Sequence, residues 1–467
     1  MKLYYYFSVN DKFFTEGTKR FIESDDTHEF YGLAGGRRDF LDANISIYKS
    51  ISYLSELDYD LPVDYAYLSQ IEEIYSIRIA ELINADRTFW RLEKSKRIKY
   101  AEVIIRCIEA NYASYNFNSI FAEGIDDFPS YFLQEFAKKN EIPFYYFVYS
   151  RVGGSVFLSD RKDTGPIGLE KHYEENRIEF VNDSTKFDQT IDFINTYIKN
   201  KSQPYYVTQS QMLYKAFSFD DVKVLIKAFR NFIKDKTAYH AYENPLRFPI
   251  NRYIKIKRKR QYKDYFKNRF IDSSEIKNRK YFIYPLHFHP EAATLIQGRW
   301  LNDQKAIIEM FSKVLPADII LIVKEHKVSI GRRQLAFYTE ISKLHNVHFI
   351  SENQDVYSLI ENSLGIVTIS SSMGLEAIML NKPVITFGDI HYNILSQVIK
   401  ARDFSKMKSY VDLALDFQCY ARDEYWSFLK TITENCYEMP GYSPHIFNEA
   451  HLNTFISMLK RVATHTS

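Results

Sequence analysis

Cysteine is scarce in this 467-residue chain: Cys107, Cys419 and Cys436 are odd in number and far apart. That count excludes a disulfide framework and a CxxC-type zinc site, and predicts a reducing compartment. Long apolar runs are missing too. The most hydrophobic stretches, such as residues 316–323, fall well short of the ~20 residues that cross a bilayer. The start, MKLYYYFSVNDKFF, has one early lysine and an aromatic run broken by Asn10, Asp11 and Lys12, too short for a secretory core. It reads as a first strand, and the expectation is a cytoplasmic protein or one bound to a membrane surface. Net charge is nearly absent: 61 Lys+Arg against 59 Asp+Glu leave +2, so no global field exists to grip nucleic acid. Glycine (15) and proline (13) are few. What is abundant is the aromatic ring, 37 Tyr and 36 Phe with 3 Trp, spread along the whole chain as core filling. With 46% hydrophobic and 26% charged residues, the composition is that of a globular protein and excludes disordered, collagen-like and coiled-coil classes. The length predicts two or three domains at ~100 to 200 residues each.

Between residues 280 and 390, short β-type runs alternate with stretches of helical period. The runs are YFIYPL (281–286), IILIVK (319–324), VHFI (347–350), GIVTIS (365–370) and PVITFG (383–388). The intervening helices are predicted over 303–314, 332–344, 355–362 and 373–380. Such alternation builds right-handed βαβ units on a buried parallel sheet, because parallel neighbours need a crossover that covers the sheet face. The first half holds the same unit: strand NSIFAEG (118–124), a helix over 129–140 opened by proline, and strand IPFYYFV (142–148). Further helices are predicted over 86–112, 186–199 and 209–236. The fold class is therefore α/β, with two Rossmann-like domains facing across a cleft and C-terminal helices. The predicted domains are 1–275 (acceptor side, with helical insertions and a basic linker), 276–400 (nucleotide binding) and 401–467 (helices packing back on the domains, with a break at 440–444). In open α/β sheets ligands sit beyond the carboxyl ends of the strands.

Those strand ends carry the candidate residues. His287 and His289, with Glu291, lack HxxxH or HExxH spacing and predict a ligand-contacting loop, not a metal site. A buried strand that delivers Lys324, His326 and Lys327, with Arg332 and Arg333 close behind, calls for a phosphate partner, since unpaired ionisable groups are costly to bury. Ser370, Ser371 and Ser372 end a strand and open a helix, offering hydroxyls and free N–H groups to a phosphate. Gly374 allows close approach, and Glu376 stands where it can accept from a ribose hydroxyl. A plain capping box with Ser372 as N-cap accounts for the same residues. On the other half, Glu123 and Gly124 end a strand, followed by Asp126 and Asp127; a carboxylate there is placed to act as general base on an acceptor hydroxyl. Ser150 to Gly154 forms either an anion-holding loop or a tight turn. No DxD stands at a strand end, which predicts metal independence and no resident cofactor. The run IKIKRKRQYKDYFKNR (254–269) is basic with interleaved aromatics, and reads either as a contact for an anionic membrane surface or as a solvated interdomain helix.

The order PLHFHPE, KEH with a downstream GRR, TISSSMGLEAI and KPVITFG resembles the capsule polysaccharide biosynthesis family of bacterial glycosyltransferases. That family includes β-Kdo transferases and is similar in design to bacterial sialyl- and polysialyltransferases. The resemblance covers roughly residues 280–392. It implies a GT-B enzyme that moves an acidic sugar such as Kdo or sialic acid from a CMP-linked donor to a surface glycan or glycolipid acceptor, without a metal ion. By the same resemblance His326 matches the family's phosphate-contacting histidine, Ser370 to Ser372 its serine motif and Glu376 its acidic residue near the nucleotide. Glu123 with Gly124 resembles the acidic-Gly motif of the catalytic carboxylate. Lys327 stands where the family has proline, and Ala122 where a second acidic residue is common. A sugar-nucleotide 2-epimerase, a CDP-glycerol glycerophosphotransferase and a non-catalytic assembly scaffold are the competing readings.

Overall fold

The computed structural model describes residues 1–7, 12–24, 27–35, 48–152, 154–182, 192, 226, 247–439 and 448–465. The predicted helices 186–199 and 209–236, and the break at 440–444, lie essentially outside them.

Thirteen strands among the described residues form two sheets. The first contains β1 (Lys2–Phe7), β2 (Glu29–Ala34), β3 (Ser50–Tyr53), β4 (Ser119–Ala122), β5 (Phe144–Tyr149) and β6 (Ser155–Ser159). Its seventh strand is β13 (Tyr437–Glu438), contributed from far along the chain. The order is β13-β6-β5-β4-β1-β2-β3, parallel from β5 to β3, with β6 and β13 antiparallel at one edge. β1 sits in the middle and is covered on both faces. Tyr4 and Tyr6 enter one core while Leu3, Tyr5 and Phe7 enter another, which is the period of two that a doubly covered strand imposes. The tyrosine-rich start is thus interior packing, and the expected first strand is present.

The second sheet is wholly parallel: β7 (Lys280–Pro285), β8 (Ile319–Lys324), β9 (Val347–Ile350), β10 (Gly365–Thr368), β11 (Val384–Thr386) and β12 (Ile399–Lys400), in the order β12-β11-β10-β7-β8-β9. The predicted runs match β7 to β11. The helix predicted from 332 starts later, at Leu335, because Gly331 (φ 88°) turns the chain. The helix predicted from residue 86 begins at Lys94, since Asp86 Oδ1 accepts from the Thr88 and Phe89 N–H groups and holds a separate turn there.

Past residue 400 the chain first packs helix Met407–Leu415 on the second sheet, then crosses back. Helix Arg422–Glu434 lies on helix Leu169–Asn182, and helix Glu449–His465 lies on helix Lys12–Ser24 beside the first sheet. The basic stretch is helical over Arg247–Phe266, docked by Tyr262 and Phe266 against Tyr338 and Phe349 of the second core.

Candidate active site at the domain junction

The carboxyl ends of the two parallel sheets meet. Arg151, just after β5, donates from Nη1 to the Ser370 carbonyl just after β10 at 2.7 Å. The Asp163 carbonyl accepts from the His391 N–H at 2.8 Å, and Arg299 pairs with Glu81 at 3.0 Å. The rings of Trp90 and His289 stand 5.8 Å apart across the same seam.

On the second wall, each predicted residue has a definite place. His287 is buried; its Nε2 accepts from the Ser370 N–H at 3.1 Å, and its own N–H donates to Gln304 Oε1 at 2.7 Å. Burial, then Arg151, Arg333 and His326, bring its pKa down to about 3, so the ring is a neutral brace between the β7 and β10 loops. His289 bonds Thr294 Oγ1 through Nδ1 at 2.9 Å. Lys324 does not reach toward a phosphate. Its ammonium donates to the Ser351 and Glu352 carbonyls at 3.2 and 2.8 Å, tying β8 to the segment after β9, and burial brings its pKa down to about 8.

Glu325, between Lys324 and His326, was given no role from the sequence. It is buried and accepts from Arg333 Nη1 at 2.7 and 2.8 Å, from the Tyr338 hydroxyl at 2.5 Å and from the His326 N–H at 2.7 Å. A buried carboxylate is tolerated only when so fully bonded. Arg333, which also donates to the His287 carbonyl, is therefore structural, and the pair fixes the backbone that carries His326. His326 itself has a buried Nδ1 with no hydrogen-bond partner among the described residues, and burial, helped by Arg333 and Lys324, brings its pKa down to about 4. It is a neutral imidazole with an open polar atom. Arg332 is exposed, its guanidinium 4.3 Å from the centre of the Phe288 ring.

In the serine loop, Ser370 Oγ donates to the Ala293 carbonyl at 3.1 Å, and Ser371, not Ser372, is the N-cap, its Oγ accepting from the Met373 N–H at 3.2 Å. Ser372 opens helix Ser372–Met379 at the half-buried rim. The role expected of Gly374 changes. A Cβ there would stand 2.3 Å from the Tyr392 hydroxyl, which donates to the Ser371 carbonyl at 3.0 Å; the glycine makes room for a tyrosine that braces the loop. Glu376 keeps a buried Oε2 with no hydrogen-bond partner among the described residues, and burial pushes its pKa up to about 7.

On the first wall, Glu123 follows β4, half-buried, and its charge is one of the influences that raise the pKa of Tyr48, whose main cause is burial. Asp127 caps helix Phe128–Lys139 in a box with Ser130 and accepts from the Tyr6 hydroxyl at 2.5 Å. Burial, then Asp126 and Asp86, raise its pKa, and its bonds to Ser130 and Tyr6 make it a structural cap. Asp126 pairs with Arg87 at 3.0 Å. Its charge reaches Glu291 on the opposite wall, whose pKa is raised by burial and held back by Arg151, Arg87 and Arg332. Among the described residues, no group of three or more His, Cys, Asp or Glu side chains is arranged to hold a metal ion.

Two Rossmann-like sheets whose carboxyl ends meet, with a histidine–serine loop on one wall and carboxylates on the other, define an α/β protein of GT-B architecture. Residues 184–414, just under half of the chain, match the family model described as "Capsule polysaccharide biosynthesis protein". It is 43% identical over 51 residues to Protein FixF of Sinorhizobium fredii, covering 11% of this chain and 13% of FixF. It is 32% identical over 66 residues to the capsule polysaccharide modification protein LipA of Neisseria meningitidis serogroup B, covering 14% of this chain and 9% of LipA. The chain thus spans only a small part of the length of these curated relatives. The solved structure of Thermosulfurimonas dismutans KpsC, beta Kdo 2,7 transferase, aligns with 92% of this chain and 90% of that one, at 11% identity and a TM-score of 0.34.

Proposed function

We propose that the chain is a metal-independent glycosyltransferase that moves an acidic sugar from a CMP-linked donor to a surface or capsular glycan acceptor. The observation that carries this reading is the buried, unpartnered Nδ1 of His326 at the end of β8, inside the family-matched region. An unmade hydrogen bond on a buried ring nitrogen is costly, and a donor phosphate oxygen is a fitting partner. The acceptor hydroxyl attacks the anomeric carbon and passes its proton to Glu123. The bond to the phosphate oxygen breaks, and CMP leaves with the electron pair. His326, the Ser372 hydroxyl and the helix start behind it stabilise the departing charge, which is the work a divalent ion does in other transferases. In this reading Glu376 accepts from a donor hydroxyl.

Release of CMP from CMP-Kdo is expected to require an acceptor glycan and to persist in EDTA. Conversion of the donor with no acceptor present would favour an epimerase, and loss of activity in EDTA would end metal independence.

The basic helix supports peripheral attachment near a lipid-linked acceptor. Ile250 and Tyr253 are 57% and 65% exposed on the same helix as Lys257 and Arg260. At ~1 kcal/mol per basic residue near an anionic bilayer, this cluster is expected to give salt-sensitive co-sedimentation with anionic vesicles. Absence of binding at low ionic strength would leave the helix a connector.

A further inference from the structure

Trp90 has no part in the chemistry above, yet it is an exposed aromatic of the first wall that meets a ring of the second. It lies on the short turn Phe89–Arg91, its Nε1 donating to the Asn84 carbonyl at 3.1 Å and its own carbonyl accepting from Arg97 at 3.2 Å. The ring is thereby held in place while 41% of the residue stays exposed, 5.8 Å from the His289 ring. The other tryptophans differ: Trp426 is buried, and Trp300, highly exposed, has the neighbouring Arg299 guanidinium 4.9 Å from its ring centre. Around Trp90 the junction is polar. Arg87, three residues before it, pairs with Asp126, and Glu291 feels Arg151, Arg87, Asp126 and Arg332.

A pinned, exposed indole beside paired carboxylates and guanidiniums matches the two faces of a pyranose. The C–H face lies on the ring, and the hydroxyls and a carboxylate meet the charged groups. We propose that this corner of the junction is the subsite for the terminal sugar of the acceptor, with Trp90 as its platform and Arg87 as the group that selects an acidic sugar. The proposal rests on the transferase reading only for the word acceptor. Trp90 belongs to the first wall, whereas His326 and the serine loop belong to the second.

The test is equilibrium binding of a Kdo-terminated oligosaccharide and, separately, of CMP, to wild type, Trp90→Ala, Trp90→Phe and Trp300→Phe. Loss of one aromatic contact is expected to weaken the oligosaccharide about tenfold in Trp90→Ala. Trp90→Phe should stay close to wild type, Trp300→Phe should be unchanged, and CMP affinity should be equal in all four. A retained CMP-induced melting shift shows that Trp90→Ala is folded. Equal oligosaccharide affinity in Trp90→Ala overturns the proposal. So does a fall in CMP affinity instead, which would place the nucleobase on Trp90. Wild type that binds the oligosaccharide but no nucleotide sustains the subsite and ends the transferase reading; wild type that binds CMP but no oligosaccharide does the reverse.

Discussion

Glu123→Gln is expected to slow sugar transfer by a factor of about a hundred to ten thousand, the usual worth of a positioned general base. Glutamine keeps the shape and the hydrogen-bonding oxygen but cannot take the acceptor proton. Because Glu123 stands on the wall opposite His326, CMP affinity should remain near wild type, so the loss appears in turnover at saturating donor. The readout is acceptor-dependent CMP release. Persistence of wild-type turnover would remove Glu123 from the chemistry. Asp126 would then take its place, since its pairing with Arg87 and its influence on Glu291 already set it at the junction.

His326→Ala is expected to weaken CMP binding by the ~1.5 to 3 kcal/mol of a hydrogen bond to a charged group, about ten- to a hundredfold. The fold should be kept. The buried ion pair that shapes this loop is Glu325 with Arg333, and the Glu325 contacts to Tyr338 and to the backbone N–H of residue 326 do not involve the imidazole. The ring is neutral well above pH 4, so the loss should be nearly constant across the neutral range.

The second sheet was legible because parallel strands buried on both faces are continuous apolar runs, and IILIVK or GIVTIS can be little else. The first sheet was legible only at β1, β4 and β5. In β2, Gly32 breaks the apolar run; a Cβ there would meet Ile51 Cγ1 at 3.2 Å, a close approach of neighbouring strands with no local signature. β13 is two residues long and pairs with β6 across almost 300 positions, which no window of sequence contains. The same distance rule governs the site. Charges at a strand end singled out the β8 loop, but only long-range contacts divide that loop into parts. Lys324 is consumed by the carbonyls of Ser351 and Glu352 and Arg333 by Glu325, while His326 is left open. Gly374 read as room for a ligand because Tyr392, eighteen residues on, was not visible beside it. The meeting of Trp90 with His289 carried no spacing signal at all.

The central claim is that the second wall binds a CMP-linked donor through His326. Its most direct test is the change in melting temperature of wild type and His326→Ala across CMP, CDP, UDP and GDP. The account predicts the largest rise with CMP in wild type and a much smaller one in the variant. A response led by UDP or GDP, or a CMP response that the variant keeps in full, would contradict it.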